Sequence, residues 1–289
     1  MRYAASLLIV TALAAGQSVP SAIFTDPPSD AAHPAKMTVI HIPTHGLLIN
    51  GVVYQPSGAG PHPTIVLCHG LPGNEKNLDL AQALRRAGWN AVTFNYRGSW
   101  GSPGNFRFAQ NLEDARAVLA FLRDPANVVT LGVDSRRIVL LGHSMGGWVV
   151  AHTAAQDHGI IGAILISASD MGRAGGRPPD RLLRSMAGNL ESLNGATAES
   201  MAAELRDNAQ AFRMENAAAG LAQIPLLAIT ADDGLAPDAA ALLSAIAAKG
   251  GHQASVKHFA TDHSYSDQRI ALESEIINWL DGLLKQNPR

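Results

Sequence analysis

Short runs that are apolar at nearly every position recur along the chain: TIVLC at 64–68, NAVTF at 90–94, RRIVLLG at 136–142, IIGAILISAS at 160–169 and PLLAIT at 225–230. A strand without polar alternation is buried on both faces, which requires a layer of helices on each side. The intervening segments supply them: helical patterns are expected at 78–87, 110–122, from 145 onward, at 237–249 and at 267–284. Strand and helix in alternation predict an α/β domain with a mostly parallel sheet. MTVIHI at 37–42 and LLINGVVYQP at 47–56 read as an opening antiparallel pair, and SVKHF at 255–259 as the last strand.

From 170 to 223 the pattern becomes Ala-, Met- and Arg-rich with helical spacing, too long for an ordinary connection, and is expected to form an inserted helical lid. The chain of 289 residues, 47% apolar and 16% charged, suits a single large core. Its net charge of −2 and lack of a Lys/Arg-rich run point away from nucleic acid.

At the N-terminus, Met1-Arg2 precedes an uninterrupted apolar and small run, Leu7 to Ala15, followed by Gly16 and Ser18. This is the layout of a signal peptide over residues 1–18, too short for a membrane span, and it predicts export to the periplasm or beyond. Residues 19–36, rich in Pro, Ala and Asp, read as a linker to a domain at 37–289. Nothing after the leader reads as a membrane span. No cysteine stands directly after the apolar run, and the single cysteine, Cys68, has no second to pair with, so neither a lipid anchor at the leader nor an intramolecular disulfide is expected.

Chemistry concentrates at Gly142-His143-Ser144-Met145-Gly146, a G-x-S-x-G motif with a strand before it and a helix after it. Such a turn presents the serine hydroxyl at a helix N-terminus, and only small neighbours fit beside it. A serine needs a base to take its proton, and the base needs a third group to hold its tautomer. In a turn of this kind the acid and then the histidine follow, at the ends of later strands. PLLAIT runs into Ala231-Asp232-Asp233-Gly234, and SVKHF into Ala260-Thr261-Asp262-His263. His263 is the expected base and Asp233 the expected acid. Asp232 is the rival one register step away, and Asp170, after the preceding strand, is a third candidate whose alternative is a helix cap. His252 and His258 lie before and inside the strand rather than at its end. Backbone donors for a developing oxyanion are expected at Met145 and, in the loop His69-Gly70-Leu71-Pro72-Gly73-Asn74, at Leu71. His69 is read as a brace for that loop and Cys68 as a small core residue.

HGLPGN, NYRGSWGSPG, GHSMGG, ADDGLAP and DHSYSDQR together resemble the α/β-hydrolase family over about residues 38–284, in particular its dienelactone-hydrolase-like and prolyl-oligopeptidase-like branch. The resemblance implies Ser144, Asp233 and His263 as a triad, with Leu71 and Met145 as amide donors. Ala236 departs from the larger aliphatic often found there. The expected activity is hydrolysis of a carboxylic ester or related acyl bond in a small-molecule substrate, through an acyl-enzyme. Serine peptidase, thioesterase and acyltransferase activities would use the same groups, and a binding protein that kept the fold would usually lack one. No cofactor is expected, and His33, His41 and His45 show no metal-ligand spacing. Trp100, Phe106 and Phe108 read equally as acyl-pocket lining or as loop anchors. Met171, Met186 and Leu190 fit lid–core packing, and Arg173, Arg177, Arg181 and Arg184 a solvated helix face. Acyl length and oligomeric state are left open.

Overall fold

The computed structural model describes residues 19–286; the expected leader lies outside them. The strands are β1 (Lys36–Thr44), β2 (Leu47–Gln55), β3 (His62–Cys68), β4 (Asn90–Phe94), β5 (Val133–His143), β6 (Ile160–Ile166), β7 (Leu226–Ala231) and β8 (Ala254–Phe259). They form one sheet in the order β1-β2-β4-β3-β5-β6-β7-β8. β1 pairs antiparallel with β2 and β2 with β4, and every later pairing is parallel.

Helices α1 (Leu78–Arg86), α2 (Phe108–Arg123), α3 (Pro125–Leu131) and α4 (Met145–Ala154) cover the first half. Helices α5 (Met171–Gly175), α6 (Pro179–Ala187), α7 (Ala198–Asp207), α8 (Ala218–Leu221), α9 (Ala236–Ala248) and α10 (Arg269–Gln286) complete the chain. The expected insert is therefore helical, as α5 to α8 with a 3-10 turn at Met214–Ala217. The short helix α3 is the element the apolar pattern did not reveal. Asp124 caps it and Pro125 opens it, a start signal that needs no apolar periodicity.

The unbroken apolar runs follow from two cores. Val66, Cys68, Ile138, Leu140, Ala163 and Leu165 face one core, whereas Ile65, Leu67, Val139, Leu141, Ile164 and Ile166 face the other. Successive residues of one strand point to opposite faces, so a sheet covered on both sides needs an apolar residue at every step. The first core is closed by α2, α4, the insert and α9, the second by α1 and α10.

Helix α4 is buried around its whole circumference, which explains why its sequence shows so little amphipathic contrast. The insert supplies the cover: Trp148 packs on Phe212 with ring centroids 4.9 Å apart and donates its indole N–H to the Phe212 carbonyl at 2.7 Å. The 19–36 segment carries a 3-10 turn at Ser21–Ile23, where the Ala22 and Ile23 carbonyls accept hydrogen bonds from Arg86 of α1.

Chain direction across the sheet positions the site. After β3 the chain passes through α1 to β4 on one side, and then through α2 to β5 on the other side. The ends of β3 and β5 thus flank a topological switch point, where open α/β sheets leave a crevice beyond the carboxyl ends of their strands.

Candidate active site

Ser144 stands between the last residue of β5 and the first of α4, with φ 57° and ψ −121°. A non-glycine residue there is strained and persists only where its surroundings over-determine it. Its own backbone does part of this: Ser144 N–H donates to Ile166 at 2.9 Å, and its carbonyl accepts from Gly147 at 3.0 Å and Ser169 at 3.1 Å. The flanking glycines are required by contact. A Cβ on Gly146 would lie 2.0 Å from the Cys68 carbonyl oxygen, and one on Gly142 would lie 2.1 Å from the Gly146 oxygen. The hydroxyl is left partly exposed and makes no hydrogen bond to other described residues.

His263 lies beyond β8 on a loop that Asp262 organises, its carboxylate accepting from the N–H groups of Ser264 at 3.0 Å and Ser266 at 2.9 Å. Nδ1–H of His263 donates to Asp233 Oδ2 at 2.7 Å. Asp233 also accepts from the Leu235 N–H at 2.9 Å, and the Ser167 hydroxyl adds a further hydrogen bond. Burial pushes the Asp233 carboxyl up, but the hydrogen bonds from His263, Leu235 and Ser167 outweigh it and hold the group at about 2. Asp233 is therefore ionised across the neutral range. Its neighbour Asp232 faces outward and pairs with the exposed His258 at 3.2 Å. Asp170 caps α5 and binds the Arg173 and Met214 N–H groups, in the role of a helix cap. His252 is exposed in the turn before β8.

His143, the variable residue of the G-x-S-x-G motif, has a contact that spacing did not suggest. Its Nε2–H donates to the backbone carbonyl of His263 at 2.8 Å, and the two rings lie 4.7 Å apart at 31°. Burial, reinforced by the nearby His263, lowers His143 to about 4, so this imidazole stays neutral and does not oppose a charge on its partner. The contact also seats His263 against the residue that directly precedes Ser144. Ser167 and Tyr265, whose hydroxyls meet at 3.0 Å, complete the surroundings of Asp233. Ser167 directly follows β6 at the carboxyl ends of the strands, and that position was the available signal for it.

The loop after β3 packs onto the elbow, the strand-to-helix turn at Ser144. A Cβ on Gly70 would stand 3.0 Å from Ser144 Cβ, so the Gly70–Leu71 backbone lies against the serine, and the Leu71 N–H makes no backbone hydrogen bond among the described residues. Met145 opens α4, where an N–H has no intrahelical acceptor. His69 braces the loop: its ring contacts Tyr96 at a centroid distance of 4.6 Å, and its Nδ1–H donates to the Gly70 carbonyl at 2.8 Å. Burial drives His69 to about 4, leaving it uncharged. Burial likewise raises the Cys68 thiol to about 12, so it is an inert core group.

In NYRGSWGSPG, Arg97 is structural. Its side chain binds buried Asp114 at 2.6 Å while its own N–H donates to the same carboxylate at 2.8 Å, tying the loop to α2. Phe106 and Phe108 are fully buried and stacked edge to face 5.2 Å apart, so they anchor the loop. Trp100 alone of the three reaches solvent, at 37% exposure. Met171 and Met186 are buried in the first core, and Leu190 packs against it. Beside His263, a cavity of about 460 Å³ opens between the 74–79 segment and Ser264, Ser266 and Arg269. Among the described residues no cluster of three or more His, Cys, Asp or Glu side chains could hold a metal ion, and no helix is long and apolar enough to cross a membrane.

Residues 65–272 match the alpha/beta hydrolase family. The chain belongs to that family. The match takes in the turn at Ser144 and the loops that carry Asp233 and His263. Among curated proteins, it is 29% identical over 131 residues to an uncharacterized Mycobacterium tuberculosis protein, covering 45% of each chain. It is 32% identical over 118 residues to the quorum-quenching protein AidA of Acinetobacter baumannii, covering 39% of this chain and 37% of that one. The matched stretch thus spans less than half the length of these relatives. Among solved structures, an esterase of the archaeon Pyrobaculum calidifontis shares 21% identity with a TM-score of 0.64 over 88% of both chains. An acylaminoacyl peptidase of Pyrococcus horikoshii shares 16% identity with a TM-score of 0.67, over 86% of this chain and 41% of the other. At such identities the likeness is one of fold.

Proposed function

We propose that this hydrolase cleaves carboxylic esters of small-molecule substrates through an acyl-enzyme on Ser144. One observation carries the reading: an imidazole bound to a buried, ionised carboxylate packs on His143, the residue directly before the strained Ser144. In this mechanism Ser144 Oγ attacks the ester carbonyl carbon while His263 Nε2 takes the hydroxyl proton. Asp233 keeps the proton of His263 on Nδ1 and stabilises the imidazolium that forms. The N–H groups of Leu71 and Met145 receive the negative charge that develops on the carbonyl oxygen. His263 then protonates the departing alkoxide, and afterwards activates the water that releases the acid from Ser144. Among the described residues Ser144 Oγ makes no hydrogen bond to His263, and catalytic hydrogen bonds of this kind tighten as substrate binds. No step calls for a cofactor.

The site is proposed to work outside the cytoplasm, on the strength of the signal-like leader at 1–18, with the 170–223 insert as its lid. The test is labelling with a fluorophosphonate, followed by turnover of an ester panel of graded acyl length with thioester and amide counterparts. Label on Ser144 and loss of at least about 10³-fold in kcat in Ser144→Ala are expected. Label elsewhere, or undiminished turnover in the variant, refutes the mechanism. N-terminal sequencing of exported protein checks the leader.

A further inference from the structure

We propose that Trp100 is a positioning residue that aims the Leu71 N–H at the reacting carbonyl, acting through the Pro72 carbonyl, and that Ser192 of the insert shares the task. The proposal rests on the ester-hydrolase reading above and assigns a role to two residues that the triad leaves unused.

Leu71 is held between two anchored neighbours. On one side Gly70 lies against Ser144 Cβ. On the other, the Pro72 carbonyl accepts two hydrogen bonds, from the Trp100 indole N–H at 2.6 Å and from Ser192 Oγ–H at 3.2 Å. Proline's ring fixes its own φ, so clamping its carbonyl leaves this stretch of backbone little freedom to turn. The direction of the Leu71 N–H is then set by groups outside the loop. Without the clamp, the Leu71 peptide could rotate away from the serine.

Trp100 is itself held in an unfavourable conformation. Its φ is 48°, one of the few non-glycine positive values among the described residues. A bulky residue there is strained, and such outliers persist where several contacts enforce them. Trp100 N–H donates to the Ser192 carbonyl at 3.0 Å, and the Trp100 carbonyl accepts from Asn95 Nδ2 at 3.1 Å. The Lys76 ammonium sits over the indole face, 4.2 Å from its centroid, and donates to Asn95 Oδ1 at 3.0 Å. A cation on the π face draws density from the ring and strengthens the indole N–H as a donor. Yet Trp100 is more than a third exposed, so core packing does not account for this effort.

The clamp also joins the insert to the oxyanion loop. Ser192 lies between α6 and α7, where Leu193 bridges Ser99 and Asn74 Nδ2 donates to Glu191 at 2.6 Å. Seating of the insert thereby sets the geometry of the loop that meets the substrate.

The test uses the full chain and three variants: Trp100→Phe, Ser192→Ala and the double replacement. Each is assayed for kcat and KM on a short p-nitrophenyl ester, for Ki of an alkylboronic acid that forms a tetrahedral adduct on the serine, and for Tm. Losing an oxyanion donor outright costs about 10²–10³ in kcat; a misdirected donor should lose part of that, about 10-fold in Trp100→Phe. KM should stay within about twofold, and the boronate Ki should rise by the same factor as kcat falls, because both report stabilisation of tetrahedral charge. Ser192→Ala should show the same pattern more weakly, and Tm should hold in both single variants.

Wild-type kcat and boronate Ki in Trp100→Phe would overturn the positioning role. So would a raised KM with kcat preserved, which marks a residue that only lines the pocket. Failure of the wild type to bind boronate, with turnover retained in Ser144→Ala, would overturn the serine mechanism and this proposal with it. A Ser144-dependent enzyme with a silent Trp100→Phe would overturn this proposal alone.

Discussion

Two adjacent carboxylates offer a sharp contrast, and replacing each in turn by its amide separates them. Asp233, with its side chain 5% exposed, accepts from His263, Leu235 and Ser167 and is held at about 2, against an ordinary 3.8. That depression corresponds to about 2 kcal/mol favouring the ionised native form. Because the folded value is the lower one, the contribution is full above pH 3.8 and is lost as pH falls through about 2. Asp233→Asn therefore removes about 2 kcal/mol of stability at neutral pH. It also removes the anion that keeps the His263 proton on Nδ1, which should lower kcat by about 10³–10⁴. Asp232, by contrast, is 65% exposed and pairs with a half-exposed His258, a contact worth at most about 1 kcal/mol. Asp232→Asn should leave kcat within about twofold. The assay is ester turnover at pH 7.5 on both purified variants, with urea unfolding of each. Asp233→Asn within threefold of wild-type kcat, or an equal loss in Asp232→Asn, would refute the reasoning.

Two further outcomes concern the scaffold. Burial, with help from Asp79, raises the carboxyl of Glu273 on α10 to about 7, so the folded protein holds its proton more tightly than the unfolded chain does. This contribution is full below pH 4.5 and is lost as pH rises to about 7; Glu273→Gln should flatten that decline and gain about 1–3 kcal/mol at pH 8, read from Tm against pH, and parallel slopes for the two proteins would contradict it. Gly146→Ala would place a methyl 2.0 Å from the Cys68 carbonyl oxygen, a backbone atom that cannot swing aside. A loss of at least about 3 kcal/mol is expected by urea unfolding, and a near-wild-type midpoint would show that the elbow has more room than its contacts indicate.

The sheet was legible because burial on both faces leaves its mark at every position, as in Ile138 to Leu141 and Ile164 to Ile166. Helix α3 left no such mark, since only Leu131 of its residues is buried. The turn at Ser144 was legible for a different reason: its geometry demands small residues at fixed offsets, and those can be counted along the chain. Asp232 and Asp233 were not separable in that way. Adjacent residues point in different directions, and which of them meets His263 depends on how β7 and its following turn sit against the histidine loop.

By itself, then, the order of residues determined the alternation of strand and helix, the two-sided cover of the sheet and the place of Ser144 in a strand-to-helix turn, since each is written in local pattern. Tertiary structure decided which aspartate binds the histidine. It decided that Phe106 and Phe108 are sunk in the core while Trp100 is not, and that His143 lies against His263 across 120 residues of chain. It also brought Ser192 to the same carbonyl as Trp100. These pairings join segments far apart in sequence, and their partners are set by how the helical layers pack on the sheet, which no short-range pattern encodes.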